Sequence, residues 1–424
     1  MENLRYEKRK SGKILLLTSV LLSALFVPYL QASAQQTAVV ATAAADYSSG
    51  AHSTISVDPI GGPRNVQNNL LPTISDITVV AYGQYFYRLE KYMRNNVTKF
   101  GISEPDTVIW QYSTDETGDT NSNPHDLIFV NAQKAYLLRY ESNNAWIVNT
   151  STTTGGGFKI GELDLSPYAD SDGIPEMDKG VIVGNKLFII LQRLDRNNSW
   201  SPTNTPYLAV FDTTNDMEID TTLVSGVTNP DLVVGIQIPV LNPISIQYLP
   251  DNDTIYVAGV EEYTPAAPGG IASINPNTYE TDTVLDGGNP YGAIAGISIV
   301  SPTKGYFVGY AGWGDNTLYA FDPSDPNPVG SAVTGFTNMS IGGMDSTLAL
   351  DENGMLWICN QTDGQVDILD STTDTIDESV DTNLNPLKVV FAEGEASDVD
   401  QTEEDDGLGG CFISSFLIYI QLLQ

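Results

Sequence analysis

Histidine, cysteine and positive charge are scarce in this sequence. Its 424 residues include 2 His, 2 Cys and 19 Lys plus Arg against 53 Asp plus Glu, so the net charge is −34. Two cysteines do not form the disulfide framework of a small secreted scaffold, and we expect Cys359, which lies in an apolar stretch, to be a buried small side chain. An acidic surface repels phosphate backbones, so nucleic acid is not expected as a partner.

The motifs of several enzyme and cofactor classes are also absent. The chain has no C-x-x-C-H, no HExxH, no G-x-S-x-G, and no G-x-G-x-x-G between a strand and a helix. His52 lies in a polar N-terminal segment, so a Ser-His-Asp system would have to use His125. These absences favour a binding function over catalysis.

The N-terminus has the pattern of an export signal. Five basic residues precede an apolar run from Ile14 to Leu30, and small residues follow at Ala32 and Ala34. This pattern predicts a signal peptide over residues 1–34, and hence an extracellular, cell-surface or periplasmic protein. The alternative is a membrane anchor, but a run of about 17 residues interrupted by Pro28 is at the short limit for a bilayer span.

After the signal, short apolar stretches alternate with turns, which indicates an all-β fold. Four stretches of this kind end in Asp or Asn, whose short side chain caps the following turn. These predicted third strands are 207–212, 270–275, 317–322 and 365–370. Each follows a predicted second strand, at 186–191, 254–259, 305–310 and 355–359.

A turn, in most cases with proline, precedes the predicted first strand of each unit, and these turns recur along the chain. They fall at Pro72, Pro124, Pro175, Pro243, Pro290, Gly343 and Pro386. Four-stranded units repeating every ~40–50 residues predict propeller blades. We expect a single β-propeller of six to seven four-stranded blades over residues 70–392, with the long interval from Pro175 to Pro243 holding an insertion. A seventh blade would close from 387–391 and N-terminal strands within residues 35–69. A pair of β-sandwiches or a β-solenoid is the alternative fold.

The repeats resemble the YVTN-type β-propeller family of secreted and cell-surface prokaryotic proteins. The resemblance lies in the Asn-Pro pairs at 123–124, 242–243, 289–290 and 385–386 and in the third-strand endings. It covers roughly residues 70–392 and implies the fold, whereas propellers host many functions.

One acidic segment, Asp170 to Asp178, has the ligand spacing that Ca²⁺ needs. Oxygen donors at Asp170, Asp172, Glu176 and Asp178 surround a glycine turn. The segment is thus a candidate calcium site and calcium the one candidate cofactor, whereas the alternative, an Asp- and Gly-rich surface turn, is the simpler interpretation.

Several residues are expected at the loop-bearing mouth of the central channel, where propellers bind ligands. First-strand starts place His125, Asp126, Glu176 and Tyr291 there, and long loops carry Trp200 and Trp313 as binding anchors. The alternatives are a solvated funnel and loop aromatics folded back on the propeller edge.

The C-terminus changes composition after the last predicted strand. Residues 393–410 form an acidic, glycine-ending linker, and 411–424 consist of Cys411 and an apolar tail. The arrangement resembles bacterial C-terminal sorting signals, which would make Cys411 a processing or lipid-attachment point. The tail would be the protein's only contact with a membrane.

These features lead to three hypotheses about function. The first is an exported, surface-retained propeller that binds an extracellular ligand, glycan or protein. The second is a lactonase-like, metal-dependent hydrolase that uses the channel carboxylates Asp126, Glu176 and Asp345. The third is a structural component of a surface layer.

Overall fold

The computed structural model describes residues 35–118, 121–262, 269–341 and 347–394. In these ranges the chain forms 29 β-strands, one α-helix (α1, Thr222–Ser225) and four 3₁₀ turns (Gly155–Gly157, Ser166–Tyr168, Arg196–Asn198 and Pro250–Asn252). The strands build seven antiparallel sheets, which are the blades of one β-propeller. The all-β prediction is confirmed, and the number of blades is seven.

The strands follow one another blade by blade. Blade 1 contains β1 (Gln36–Ala43), β2 (Gly50–Ser56) and β3 (Val66–Thr73); blade 2 contains β4 (Ile77–Tyr82), β5 (Tyr85–Glu90), β6 (Asn96–Gly101) and β7 (Glu104–Ser113); blade 3 contains β8 (Pro124–Asn131), β9 (Lys134–Arg139), β10 (Asn144–Val148) and β11 (Lys159–Asp164); blade 4 contains β12 (Met177–Val183), β13 (Lys186–Leu191), β14 (Tyr207–Asp212), β15 (Met217–Glu218) and β16 (Ile236–Gln237); blade 5 contains β17 (Pro243–Leu249), β18 (Thr254–Gly259), β19 (Gly270–Ile274) and β20 (Thr281–Asp286); blade 6 contains β21 (Ala293–Ser301), β22 (Lys304–Tyr310), β23 (Asn316–Phe321) and β24 (Ser331–Ala332); blade 7 contains β25 (Leu348–Leu350), β26 (Met355–Asn360), β27 (Gln365–Asp370) and β28 (Thr375–Asp381); β29 (Asn385–Glu393) completes blade 1.

Blade 1 closes the ring with strands from both ends of the chain. The last strand, β29, is its innermost strand and pairs antiparallel with β1, with Val39 opposite Val390. Closure in this way joins the two ends of the described chain by backbone hydrogen bonds within one blade. The N-terminal segment therefore contributes three strands to the propeller.

The core lies between neighbouring blades. Buried side chains of adjacent sheets pack face to face, as where Trp357 and Cys359 of blade 7 meet Val40 and Val389 of blade 1. Cys359 is fully buried, as predicted. Alternation along each strand supplies the apolar faces, and packing on both sides of a blade explains why its middle strands are so strongly apolar.

The repeated Asp and Asn residues form the predicted turns. In four blades the side-chain Oδ1 of Asp212, Asn275, Asp322 or Asp370 accepts a hydrogen bond of 2.8 Å from the backbone N–H two residues later. The second and third strands of these blades begin and end within one residue of their predicted limits.

A left-handed residue precedes several innermost strands. Asn123, Glu176 and Asn242 have φ of +49°, +47° and +47°. Their carbonyl groups accept hydrogen bonds from the residue that follows the second strand of the same blade, which is Tyr140, Gln192 and Val260, respectively. This repeated contact holds the start of the inner strand beside the loop between the second and third strands.

The long interval after Pro175 has a structural explanation in blade 4. A loop of residues 192–206 separates β13 from β14, and residues 219–235 interrupt the outer strand, so that β15 and β16 pair with opposite ends of β14. Pro72 does not announce an inner strand, because it lies in β3, an outer strand where a missing N–H is tolerated. Within the described ranges no helix is both long and apolar enough to cross a membrane.

Candidate functional site

A cavity of about 990 Å³ opens at the mouth of the central channel, and blades 2, 3, 4 and 5 all contribute residues to its wall. Its wall comes from the starts of the inner strands and from the loops between second and third strands. The wall includes Asp76, Lys91, Tyr92, Asn123, His125, Tyr140, Glu141, Asp178, Gln192, Trp200, Glu261 and Glu262.

His125 is held in a fixed orientation in this wall. Its Nδ1 lies 2.7 Å from Oδ1 of Asp178 on the next blade, and its ring stacks on Tyr140 with centroids 4.1 Å apart. Burial lowers the pKa of His125, while the hydrogen bond to Asp178 acts in the opposite direction. With Nδ1–H donating to the carboxylate, Nε2 is left as a hydrogen-bond acceptor.

Tyr140 links three blades within the wall of the cavity. Its hydroxyl donates to Oε1 of Gln192 at 2.7 Å, and Nε2 of Gln192 donates to the carbonyl of Pro243 at 3.0 Å. Burial, together with the negative charge of Asp178, raises the pKa of Tyr140 well above its usual value of 10. The hydroxyl therefore stays protonated as a donor, and the chain of bonds rigidifies the wall.

Trp200 is presented to solvent by the long loop of blade 4. Ser199 and Trp200 have φ of +58° and +63°, left-handed values that cost a non-glycine residue about 1 kcal/mol or more. The indole is 45% exposed, and the guanidinium carbon of Arg196 lies 4.3 Å from its ring centroid. Two unfavourable backbone conformations in this loop therefore accompany the placement of an aromatic side chain at the cavity rim.

The acidic segment that was predicted to bind calcium anchors this loop. Oδ1 of Asp170 accepts from the N–H of Asp172, and its Oδ2 accepts from the side chain of Asn204. Oδ2 of Asp172 accepts from the N–H of Arg196 at 3.0 Å.

Glu176 is fully buried behind the cavity rather than in its wall. It accepts from Nε of Arg196 at 2.5 Å and from the N–H of Leu194 at 3.1 Å. Burial raises the pKa of Glu176 to about 8, against the opposing effect of Arg196. Arg196 also pairs with Glu141.

The four predicted calcium ligands have different contacts, since Asp178 faces His125 while the other three hold the loop. Among the residues that the structure describes, no group of three or more His, Cys, Asp and Glu side chains is placed to hold a metal ion. Calcium binding stays a prediction.

Two other predicted residues, Asp126 and Tyr291, do not line the cavity. Asp126 bridges blades 3 and 4, since its carboxylate accepts from the N–H groups of Leu127 and Gly180 at 2.9 and 3.1 Å. Tyr291 packs edge-on against Phe307 and Tyr319, and its hydroxyl accepts from the N–H of Gly330.

Trp313 lies on the loop between β22 and β23, on the same face of the propeller. It is 77% exposed and meets Tyr47 of blade 1 edge-on, with centroids 6.4 Å apart. It does not belong to the wall of the cavity. Cys411 and Asp345 lie outside the described residues.

Tyr140, Glu141, Gln192 and Glu261 are wall residues that sequence reasoning missed. A usable signal exists, because each follows a second strand by one or two residues. Extending the alignment of predicted second strands past their ends would have brought Gln192 and Glu261 together on one face, whereas Tyr140 and Glu141 follow β9, which was not among the predicted second strands.

Known proteins resemble this chain in fold but not in sequence. No family model matches the chain, and no curated protein matches it in sequence. A proposed 6-phosphogluconolactonase from Bacteroides fragilis is similar in structure, with 12% identity, a TM-score of 0.57 and coverage of 84% of this chain and 98% of its own. The Dos1 propeller shares 11% identity at a TM-score of 0.50, covering 82% of this chain and 85% of its own. Streptogramin B lyase shares 11% identity at a TM-score of 0.50, covering 78% and 92%.

Proposed function

We propose that this protein is an exported, surface-retained binding module and that the channel-mouth cavity is its ligand site. The observation that carries the proposal is a preformed cavity of about 990 Å³ with an aromatic residue at its rim and fixed polar groups in its wall. Ligand pockets commonly have this size and combine apolar surface with a few oriented polar groups. Export and surface retention rest on the two ends of the sequence, and the YVTN resemblance remains a prediction consistent with both.

The expected ligand is an extracellular small molecule, glycan or peptide segment. Thermal melting of the purified protein against a panel of neutral oligosaccharides and of basic and acidic peptides would find it. Only binding to the folded form raises the melting temperature by mass action.

Two tryptophan variants locate the site. Trp200→Ala should weaken binding by at least about tenfold, because exposed aromatic anchors carry much of an interface's free energy. Trp313→Ala, on the same face but outside the cavity wall, is the matched control and should leave affinity unchanged. Loss of binding in the control but not in Trp200→Ala would place the site elsewhere.

The contact between His125 and Asp178 favours a second function, hydrolysis with His125 as a general base. A neutral imidazole oriented by a carboxylate is the geometry that such a base requires. A panel of esters and lactones would then show turnover that falls by about 100-fold or more in His125→Gln. Equal turnover by the wild type and by His125→Gln would exclude His125 as the general base. The metal-dependent version through Asp126, Glu176 and Asp345 remains a prediction, as does the structural surface-layer role.

Calcium binding has a direct test. If Ca²⁺ binds the native state, the melting temperature should rise in millimolar Ca²⁺ relative to EDTA. Asp170→Asn combined with Asp172→Asn should abolish that rise. Equal melting temperatures in both buffers would leave the acidic segment as an anchor of the Trp200 loop only.

A further inference from the structure

The channel-mouth cavity has a strong bias in its hydrogen-bonding groups. Five of its wall residues are carboxylates, Asp76, Glu141, Asp178, Glu261 and Glu262, whereas Lys91 is its one ammonium group among the described residues. An ionised carboxylate accepts hydrogen bonds but cannot donate them. The wall is therefore rich in acceptors and poor in cationic donors.

Several of these charges are balanced within the protein. Lys91 lies 3.2 Å from Asp76, and Glu141 pairs with Arg196. Glu261 and Glu262 lie on the loop after β18, and no described cation is within ion-pair distance of either. Glu261 accepts only a long bond of 3.4 Å from the N–H of Gly269.

A neutral acceptor in the same wall lacks a partner. Asn123 is 7% exposed, and its side-chain Oδ1 has no hydrogen-bond partner. Leaving a buried polar atom unsatisfied costs about 1–3 kcal/mol, so a donor that reached Oδ1 from the cavity would recover that free energy. Nε2 of His125 is a further acceptor in this wall.

Aromatic surface completes the set. Trp200 and Tyr92 are 45% and 55% exposed, and both line the cavity. The face of an aromatic ring attracts cations within about 6 Å, and Arg196 already uses the Trp200 ring in this way.

We propose that the cavity binds an organic cation with several N–H donors, such as a polyamine or the lysine side chains of a peptide. This inference rests on the proposed function, because it names the class of ligand for the same site. Unbalanced carboxylates would supply the charge attraction, Asn123 a neutral acceptor, and the aromatic rim a cation–π surface.

Isothermal titration of the purified protein tests this inference. The probes are spermidine and tri-lysine, which distinguish a free polyamine from a peptide, with uncharged tetraethylene glycol as a control for length. We expect at least one of the two cations to bind, more weakly at high salt because exposed charges are screened, and the glycol to show no binding.

Variants then test the site. Glu261→Gln combined with Glu262→Gln keeps size and shape and should weaken binding of the cation by about tenfold or more. Asp251→Asn combined with Asp282→Asn makes the same change of charge at exposed positions outside the cavity and should leave affinity unchanged. Asn123→Gly accommodates the left-handed backbone and removes the acceptor, so it should also weaken binding.

The outcomes that would contradict the cation inference differ from the outcome that would contradict the proposed function. If a neutral oligosaccharide binds in a Trp200-dependent way and neither cation binds, the proposed site stands and the cation inference is wrong. Equal loss of cation binding in both double variants would mean attraction to the general surface charge, which also overturns the inference. If no ligand of any class binds, the proposed function fails with it.

Discussion

His52 shows how a residue in a polar sequence segment becomes part of the core. Its ring is fully buried on β2 and packs against Phe86 and Phe100 of blade 2, with centroids 5.0 and 4.8 Å away. Nε2 lies 2.8 Å from the carbonyl of Pro105, and Nδ1 lies 3.1 Å from a guanidinium nitrogen of Arg88. One nitrogen donates and the other accepts, which only the neutral ring can do. Burial accordingly lowers the pKa of His52 to about 4.

This arrangement predicts an acid-sensitive contribution to stability. The unfolded chain takes up the proton near pH 6.5, whereas the folded protein resists protonation until about pH 4. The contribution is therefore complete above pH 6.5 and is lost as pH falls from about 6.5 to about 4. At about 1.4 kcal/mol per pKa unit, the loss amounts to roughly 3 kcal/mol.

Urea unfolding at pH 7 and at pH 4 measures this loss. His52→Gln should be less stable than wild type at pH 7, and the difference should shrink by about 3 kcal/mol at pH 4. Carboxylates titrate alike in both proteins, so the difference isolates His52. A gap that is the same at both pH values would contradict the account.

At the scale of elements, the second strands of blades 3 and 6 are each fastened to the outer turn of the next blade. Tyr136 donates to Asp216 at 2.6 Å, and Tyr306 donates to Asp374 at 2.5 Å. In each blade a lysine two residues before the tyrosine bonds the same aspartate. The repeat thus fixes contacts between blades as well as within them.

Removing one such contact should lower stability. Tyr306→Phe deletes a buried hydroxyl bonded to a charged group, which should cost about 1–2 kcal/mol of unfolding free energy. Tyr248→Phe is the control, because the hydroxyl of Tyr248 bonds Asp253 at an exposed site. We expect the control to stay within about 0.5 kcal/mol of wild type in denaturant titrations. Equal effects of the two changes would argue against a special role for the contact between blades.

Elements were easier to predict from the sequence than the site. Strand alternation and turn chemistry are local, so β13, β14, β18 and β27 could be read from a few residues each. The cavity combines Tyr92, His125, Trp200 and Glu261, which are far apart in the chain and meet only when four blades are in place. The proline at 290 predicted a mouth position for Tyr291, but the aromatic packing of blade 6 decided its place instead.

At the scale of the whole molecule, the ring is closed by more than strand pairing. Arg64, beyond β2, donates to Asp377 and Glu378 on the outer strand of blade 7, and its guanidinium lies over the Trp357 ring. The Arg64 side chain has no exposed surface, whereas its partners are 16% and 23% exposed. The ion pairs therefore fasten the N-terminal strands to the neighbouring blade.

Arg64→Ala should destabilise the closed ring. It leaves two partly buried carboxylates without their cation and is expected to cost about 2–3 kcal/mol. Lys159→Ala removes a partly exposed lysine that pairs with the more exposed Glu116 and Glu162, and it should cost no more than about 1 kcal/mol. Thermal melts of both variants make the comparison. A control as destabilising as Arg64→Ala would contradict this view of closure.

Amide hydrogen exchange with and without the ligand found in the melting panel would test the central claim most directly, because it maps the bound surface without relying on variants. We expect slower exchange in residues 91–93, 140–143 and 192–206 around the cavity, with residues 44–49 and 311–315 across the same face unchanged. Protection confined to the second pair of loops, or to the outer strands of the blades, would contradict a binding site at the channel mouth.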